Sequence, residues 1–187
     1  MQVEVTTWYL EMLSPDQLIP KDASNPDLSI LHAAIPSPEF SRFLYTSVGA
    51  NWYWCDRLSW SDDQWYSYLA RPEVQTWVAY VAGTPAGYVE LEAQPGQNVE
   101  IVYFGLLPLF IGQGIGGHLL SVGTQHAWAM GAKRVWVHTC SLDSPHALRN
   151  YQRRGFQVYE AIAQSQTLPE TPPELWQSAN HAIRLPK

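Results

Sequence analysis

The chain has 187 residues, 46% of them hydrophobic, with 11 Lys and Arg against 17 Asp and Glu and a formal net charge of −6. That length suits one domain around a single buried core, and the hydrophobic content excludes a disordered chain. The acidic balance speaks against nucleic acid, no apolar run approaches the roughly 20 residues of a membrane span, and two cysteines make neither a zinc pattern nor a disulfide framework.

The N-terminus lacks the basic start and apolar core of a signal peptide, so a cytoplasmic setting is expected. Val3, Val5, Thr7 and Tyr9 recur at period two within residues 2–12, a first strand. Five prolines fall within residues 14–39 (Pro15, Pro20, Pro26, Pro36 and Pro38), which reads as a loop over the core or a specificity element. Ser37-Pro38-Glu39 is a helix start, with Phe40, Phe43, Leu44 and Val48 at helical spacing and Gly49 as its end. After a Trp-rich stretch, Ser61-Asp62-Asp63-Gln64 opens a short helix running to about Ala70. Residues 74–82 and 86–93 are strands of a hairpin around Gly83-Thr84-Pro85, and residues 98–107 form a further strand.

The period then changes. Ile115, Leu119, Val122, Ala127 and Met130 follow helical spacing from Gly114, and Gly131 is a fitting stop. Residues 134–139 are a short buried strand, Pro145–Arg154 a second helix ended by Gly155, and residues 156–163 a strand. Residues 164–180 are polar, with Pro169, Pro172 and Pro173, and His181–Leu185 reads as an edge strand. This order implies an α/β domain with a mixed sheet.

Between a strand and a helix lies Gly112-Gln113-Gly114-Ile115-Gly116-Gly117. Glycines there let backbone N–H groups approach an anion, and the helix N-terminus adds partial positive charge. No Lys or Arg occurs from Pro72 to Ala132, so a phosphate here is expected to rest on amides and dipole, not on a cation. Gly112, Gly114 and Gly117 also satisfy the dinucleotide pattern GxGxxG, but several hairpin-type strands precede them and no acid closes the next strand. A Walker A loop is excluded, because no Gly-Lys-Ser/Thr follows. A tight strand-to-helix turn is the remaining alternative.

Downstream stands Asp143-Ser144-Pro145-His146-Ala147-Leu148-Arg149-Asn150-Tyr151-Gln152-Arg153-Arg154-Gly155-Phe156. With it, the chain resembles the GNAT N-acetyltransferase superfamily. One signature, Gln/Arg-x-x-Gly-x-Gly/Ala, falls on residues 111–116. The other, Ala and Tyr four residues apart followed by Gly-Phe, falls on Ala147, Tyr151, Gly155 and Phe156. Two positions depart from the pattern: Ile111 replaces Gln/Arg, and Ser144 replaces a frequent Asn.

The resemblance implies a single domain over residues 1–187, best supported over 72–163, with a mixed, mostly antiparallel sheet flanked by helices. It implies acetyl-CoA as cofactor and direct acetyl transfer to a primary amine of a small molecule or peptide. The pantetheine arm would lie on Phe104, Gly105, Leu106 and Leu107, with Ser144 and Tyr151 beside it. The pyrophosphate would lie on Gly112, Gln113, Gly114, Ile115, Gly116 and Gly117. Arg149, Arg153 and Arg154 are the nearest cations for the extra phosphate. Tyr151 is the expected acid toward the leaving thiolate. For the base, Glu100 ranks first and Glu92 second, with Glu90 sharing the face of Glu92 and His138 also titrating in range. Cys140 is a possible acyl acceptor. Trp52, Trp54, Trp60 and Trp65 read as packing residues or as a wall for a cationic or aromatic acceptor. No metal, nucleic acid or membrane partner is implied, and the chain is expected to be a monomer or homodimer. An acyl-CoA-binding sensor without turnover is the alternative function.

Overall fold

The structure is a computed structural model and describes residues 2–168. Its seven strands are β1 (Gln2–Met12), β2 (Leu28–His32), β3 (Val74–Val81), β4 (Thr84–Gln94), β5 (Asn98–Leu106), β6 (Arg134–Cys140) and β7 (Gln157–Thr167). They form one sheet in the order β2-β3-β4-β5-β6-β1-β7. Every neighbouring pair is antiparallel except β5 and β6. Four helices accompany it: α1 (Pro38–Gly49), α2 (Asp62–Leu69), α3 (Ile115–Ala129) and α4 (Ala147–Arg153).

Local chemistry sets the helix starts. Ser37 accepts a hydrogen bond from the Phe40 amide, with Pro38 at the first helical position. Ser61 and Gln64 close a reciprocal capping box on α2, whose first turn carries Asp62 and Asp63. By contrast, α3 has no side-chain cap; Gly114 holds that position with φ +80°. Ile115, Leu119 and Leu120 are fully buried. Each contributes roughly 1.5–3 kcal/mol, which outweighs the ~1 kcal/mol of a missing cap. The helix therefore tolerates a bare N-terminus.

Alternation along the strands builds two apolar layers. Ala79, Val89, Leu91, Val99 and Ile101 pack with α3 on one face, while Val78 and Tyr88 meet Leu44 and Val48 of α1 on the other. A Cβ at Gly123 would meet Val89 Cγ1 at 2.8 Å, so this glycine lets α3 approach β4.

The structure revises two sequence expectations. The proline-rich segment contains β2, whose register runs from Leu28↔Val81 to His32↔Trp77, because β3 offers it a free edge. The last strand continues to Thr167, into the stretch read as polar loop, because β1 pairs with it along its whole length. Helix α1 ends at Gly49, as its sequence suggests, with Ala50 at the cap position. The proposed edge strand at His181–Leu185 lies outside the described residues.

Candidate active site

The parallel pair is short. Strands β5 and β6 pair only from Asn98↔Arg134 to Ile101↔Val137. Opposite β4, the register steps from Leu91↔Ile101 to Glu90↔Tyr103, which leaves Val102 as a bulge. A bulge bends its strand and raises its twist. The two strands therefore part at the bulge, and a cavity of about 1070 Å³ opens between them. Along Val102–Leu106, alternate backbone amides and carbonyls face this gap without a strand partner. Such an edge accepts an extended amide-bearing chain as a sheet accepts a peptide.

Of the residues named from the sequence for the cofactor, Phe104, Gly105, Leu106, Gly112, Gly114, Gly116, Gly117, Ser144 and Tyr151 line the cavity. Leu107, Gln113 and Ile115 do not. The Leu107 amide donates to the Ala86 carbonyl at 2.9 Å, the Gln113 side chain to the Leu109 carbonyl at 2.8 Å, and the Ile115 side chain is buried in the core. The uncapped amides of α3 open onto the glycine segment.

The sequence expectation that a phosphate here rests on amides and dipole comes from the lack of a nearby Lys or Arg, and the structure does bring a cation to the loop. Lys21 lines the cavity beside it, with Nζ 4.0 Å from where a Gly114 Cβ would lie. Arg149 and Arg153 line the cavity too. Local composition could not reveal Lys21, which arrives from the N-terminal segment.

Further along the gap, Tyr151 packs edge-on against Phe104 and Phe156, with centroids 5.9 and 6.1 Å away. Burial, with Asp143 nearby, holds its phenol well above the ordinary value, so the hydroxyl stays protonated. His138 lines the cavity and is about half exposed, with Nδ1 3.4 Å from Glu100 Oε1. The contact with Glu100 raises the imidazole pKa, and Asp143 and Asp56 add to it. Glu100 itself sits behind His138, its Oε2 accepting from the Gln94 side-chain Nε2 at 2.7 Å. Cys140 also lines the cavity, but burial and Asp143 push its thiol up, away from the thiolate a nucleophile needs. Asp143 organises this corner by accepting from Thr139 Oγ1 at 2.7 Å and the Cys140 amide at 3.0 Å.

Glu90 and Glu92 lie outside the cavity lining. They share the side of β4 that faces α2, where cations claim both. Glu90, 2% exposed, receives Arg57 at 2.9 and 3.2 Å and the Tyr68 hydroxyl at 3.0 Å. Arg71 Nη2 lies 2.7 Å from Glu92 Oε1. The tryptophans divide accordingly. Trp52 and Trp54 line the cavity with Tyr53 and Asp56. Trp60 and Trp65, with Tyr68 and Tyr103, enclose the Arg57 guanidinium at 4.1–5.5 Å from their ring centroids. Arg57 is the residue that sequence reasoning missed here. Its signal was an arginine inside an aromatic run opposite two strand carboxylates.

The cavity is thus bipolar. Lys21 stands at the glycine segment, whereas Glu100, Asp143 and Asp56 act on His138.

A model of the acetyltransferase (GNAT) family matches residues 42–156. No curated protein sequence matches the chain. Among solved structures, a GCN5-related N-acetyltransferase from Kribbella flavida superposes with a TM-score of 0.64 at 18% identity, covering 90% of this chain and 61% of that one. An aminoglycoside acetyltransferase from an uncultured soil metagenomic sample, solved in complex with trehalose, gives 0.61 at 17%, covering 77% and 97%. An IAA acetyltransferase from Bacillus cereus gives 0.55 at 23%, covering 71% and 79%. At these identities the likeness concerns the fold. The chain spans 61%, 60% and 64% of three of the similar structures.

Proposed function

The chain belongs to the acetyltransferase (GNAT) family, and from that premise we propose that it transfers an acetyl group from acetyl-CoA directly to a primary amine of a small molecule or peptide. The observation that carries this reading is the gap between β5 and β6, in which a free strand edge, a bare helix N-terminus and two proton-handling side chains share one cavity.

The residues fit the cofactor. The Val102–Leu106 edge suits a pantetheine arm with its two amides, and the glycine segment with Lys21, Arg149 and Arg153 suits its phosphates. Acetyl-CoA, when bound, supplies the activated thioester. Tyr151 holds a proton at Oη in the same cavity and serves as hydrogen-bond donor to a departing thiolate. His138 is the better-placed base, since it faces the cavity while Glu100 sits behind it. Glu100, first in the sequence ranking, becomes the positioning group that fixes the imidazole. Glu92, ranked second, is committed to Arg71 and takes no part.

The acid end of the cavity supports a cationic acceptor. Asp56 and the faces of Trp52 and Trp54 suit an ammonium group. Release of free thiol from acetyl-CoA across a panel of primary amines tests the reading. Amine-dependent release with recovery of the acetylated amine supports it. Cofactor binding without thiol release across the panel would instead favour an acyl-CoA sensor.

A further inference from the structure

Arg154 is the unexplained group beside the glycine segment. It is 8% exposed, yet among the described residues its Nε and Nη1 have no hydrogen-bond partner and its charge has no acidic partner. Among the described residues, Arg42, Arg57, Arg71 and Arg134 form ion pairs, whereas Lys21, Lys133, Arg149, Arg153 and Arg154 form none. Burying a guanidinium with unmet N–H groups is costly, and that cost is relieved when an anion arrives.

A second cation is delivered by the N-terminal segment, which is tied down at three points. The Ile19 amide donates to the Arg154 carbonyl at 3.0 Å, and the Lys21 amide donates to Ser121 Oγ at 2.9 Å. The Lys21 carbonyl lies 3.1 Å from His118 Nδ1. These ties set the Lys21 backbone against the first turns of α3. A Cβ on Gly117 would meet Lys21 Cδ at 2.7 Å and Arg154 Nη1 at 3.0 Å. Two long cationic side chains therefore converge on the bare face of Gly117.

We propose that Lys21 and Arg154, together with the uncapped amides of α3, form a composite site for the pyrophosphate of the cofactor. The glycine segment has no cation within 40 residues before it and none until Lys133 after it. The N-terminal segment supplies one from 93 positions before Gly114. Binding of the phosphates accordingly depends on that segment staying docked on α3 and α4. The identity of the anion rests on the acetyl-CoA reading; the existence of the site does not.

Calorimetric titration with coenzyme A, D-pantetheine and inorganic pyrophosphate tests this. In Lys21→Met, affinity for coenzyme A and for pyrophosphate falls at least about tenfold, while pantetheine affinity, which lacks phosphate, is unchanged. Lys21→Arg restores most of the loss. Gly117→Ala, which puts a methyl where the two side chains meet, shows the same selectivity. Because Lys21 is exposed, its substitution leaves thermal unfolding near the parent value; Arg154→Gln serves as the second probe. Coenzyme A binding within twofold of the parent in both Lys21→Met and Arg154→Gln overturns the proposal and leaves the cofactor reading standing. Lys21-dependent pyrophosphate binding without coenzyme A binding upholds the site and overturns the cofactor reading. A parent protein that binds neither pyrophosphate nor coenzyme A overturns both.

Discussion

Replacing Glu90 with Gln probes why the Trp-rich segment folds as it does. The Arg57–Glu90 pair is buried on both sides, with side chains 6% and 2% exposed, and closes through contacts of 2.9 and 3.2 Å. Removing one partner of such a pair leaves an uncompensated charge and costs about 3–5 kcal/mol. The aromatic faces around Arg57 soften that cost only slightly, because a cation–π contact contributes about 0.5–2 kcal/mol and is already present in the parent. For a chain of this size each kcal/mol moves Tm by about 2–4 °C, so Glu90→Gln lowers Tm by about 6–20 °C. Arg57→Met does likewise. The double variant loses less than the sum of the two, by about 0.5–3 kcal/mol, since neither charge is then stranded. Differential scanning calorimetry of the four proteins reads this cycle. A loss under about 1 kcal/mol in either single variant, or strict additivity, refutes the reasoning.

Tyr151→Phe removes the cavity-facing hydroxyl and keeps the ring that packs on Phe104 and Phe156; kcat falls about 10²-fold or more while coenzyme A affinity holds, by steady-state kinetics and titration. The Glu100 contact favours the imidazolium of His138, so the rate rises with pH through an ionisation above the ordinary histidine value. Glu100→Gln shifts that limb of the kcat/KM profile to lower pH, and an unmoved limb removes His138 from the role of base. Ser61→Ala opens the capping box with Gln64 and costs about 1 kcal/mol in chemical denaturation, with unchanged kinetics.

Strong local signals carried most of the architecture. Period-two alternation in β1, the serine caps of α1 and α2, and the glycine-to-helix transition at Gly114 are written within a few residues each. Strand β2 was hidden because prolines dominate its surroundings, and only the free edge of β3 makes it a strand. The glycine segment stood out by its glycines and Tyr151 by its resemblance to a family motif, and both line the cavity. What the sequence concealed were contacts between distant segments. Lys21 meets Gly117 only because residues 19–21 are tied to Arg154 and Ser121. His138 and Glu100 adjoin because β6 runs parallel beside β5, with Glu100 opposite Trp136 in the register. The pairing of Glu90 with Arg57 likewise depends on how the Trp-rich segment folds back over β4, which no period in the sequence encodes.

In the proposed function, the parting of β5 and β6 holds the thioester between Tyr151 and His138. A crystal structure with coenzyme A bound tests it most directly. The expected result is the pantetheine arm along Val102–Leu106, the pyrophosphate over Gly114–Gly117, and the sulfur within hydrogen-bond reach of Tyr151 Oη on the side facing His138. A sulfur placed beside Glu92, or coenzyme A bound away from this gap, would contradict it.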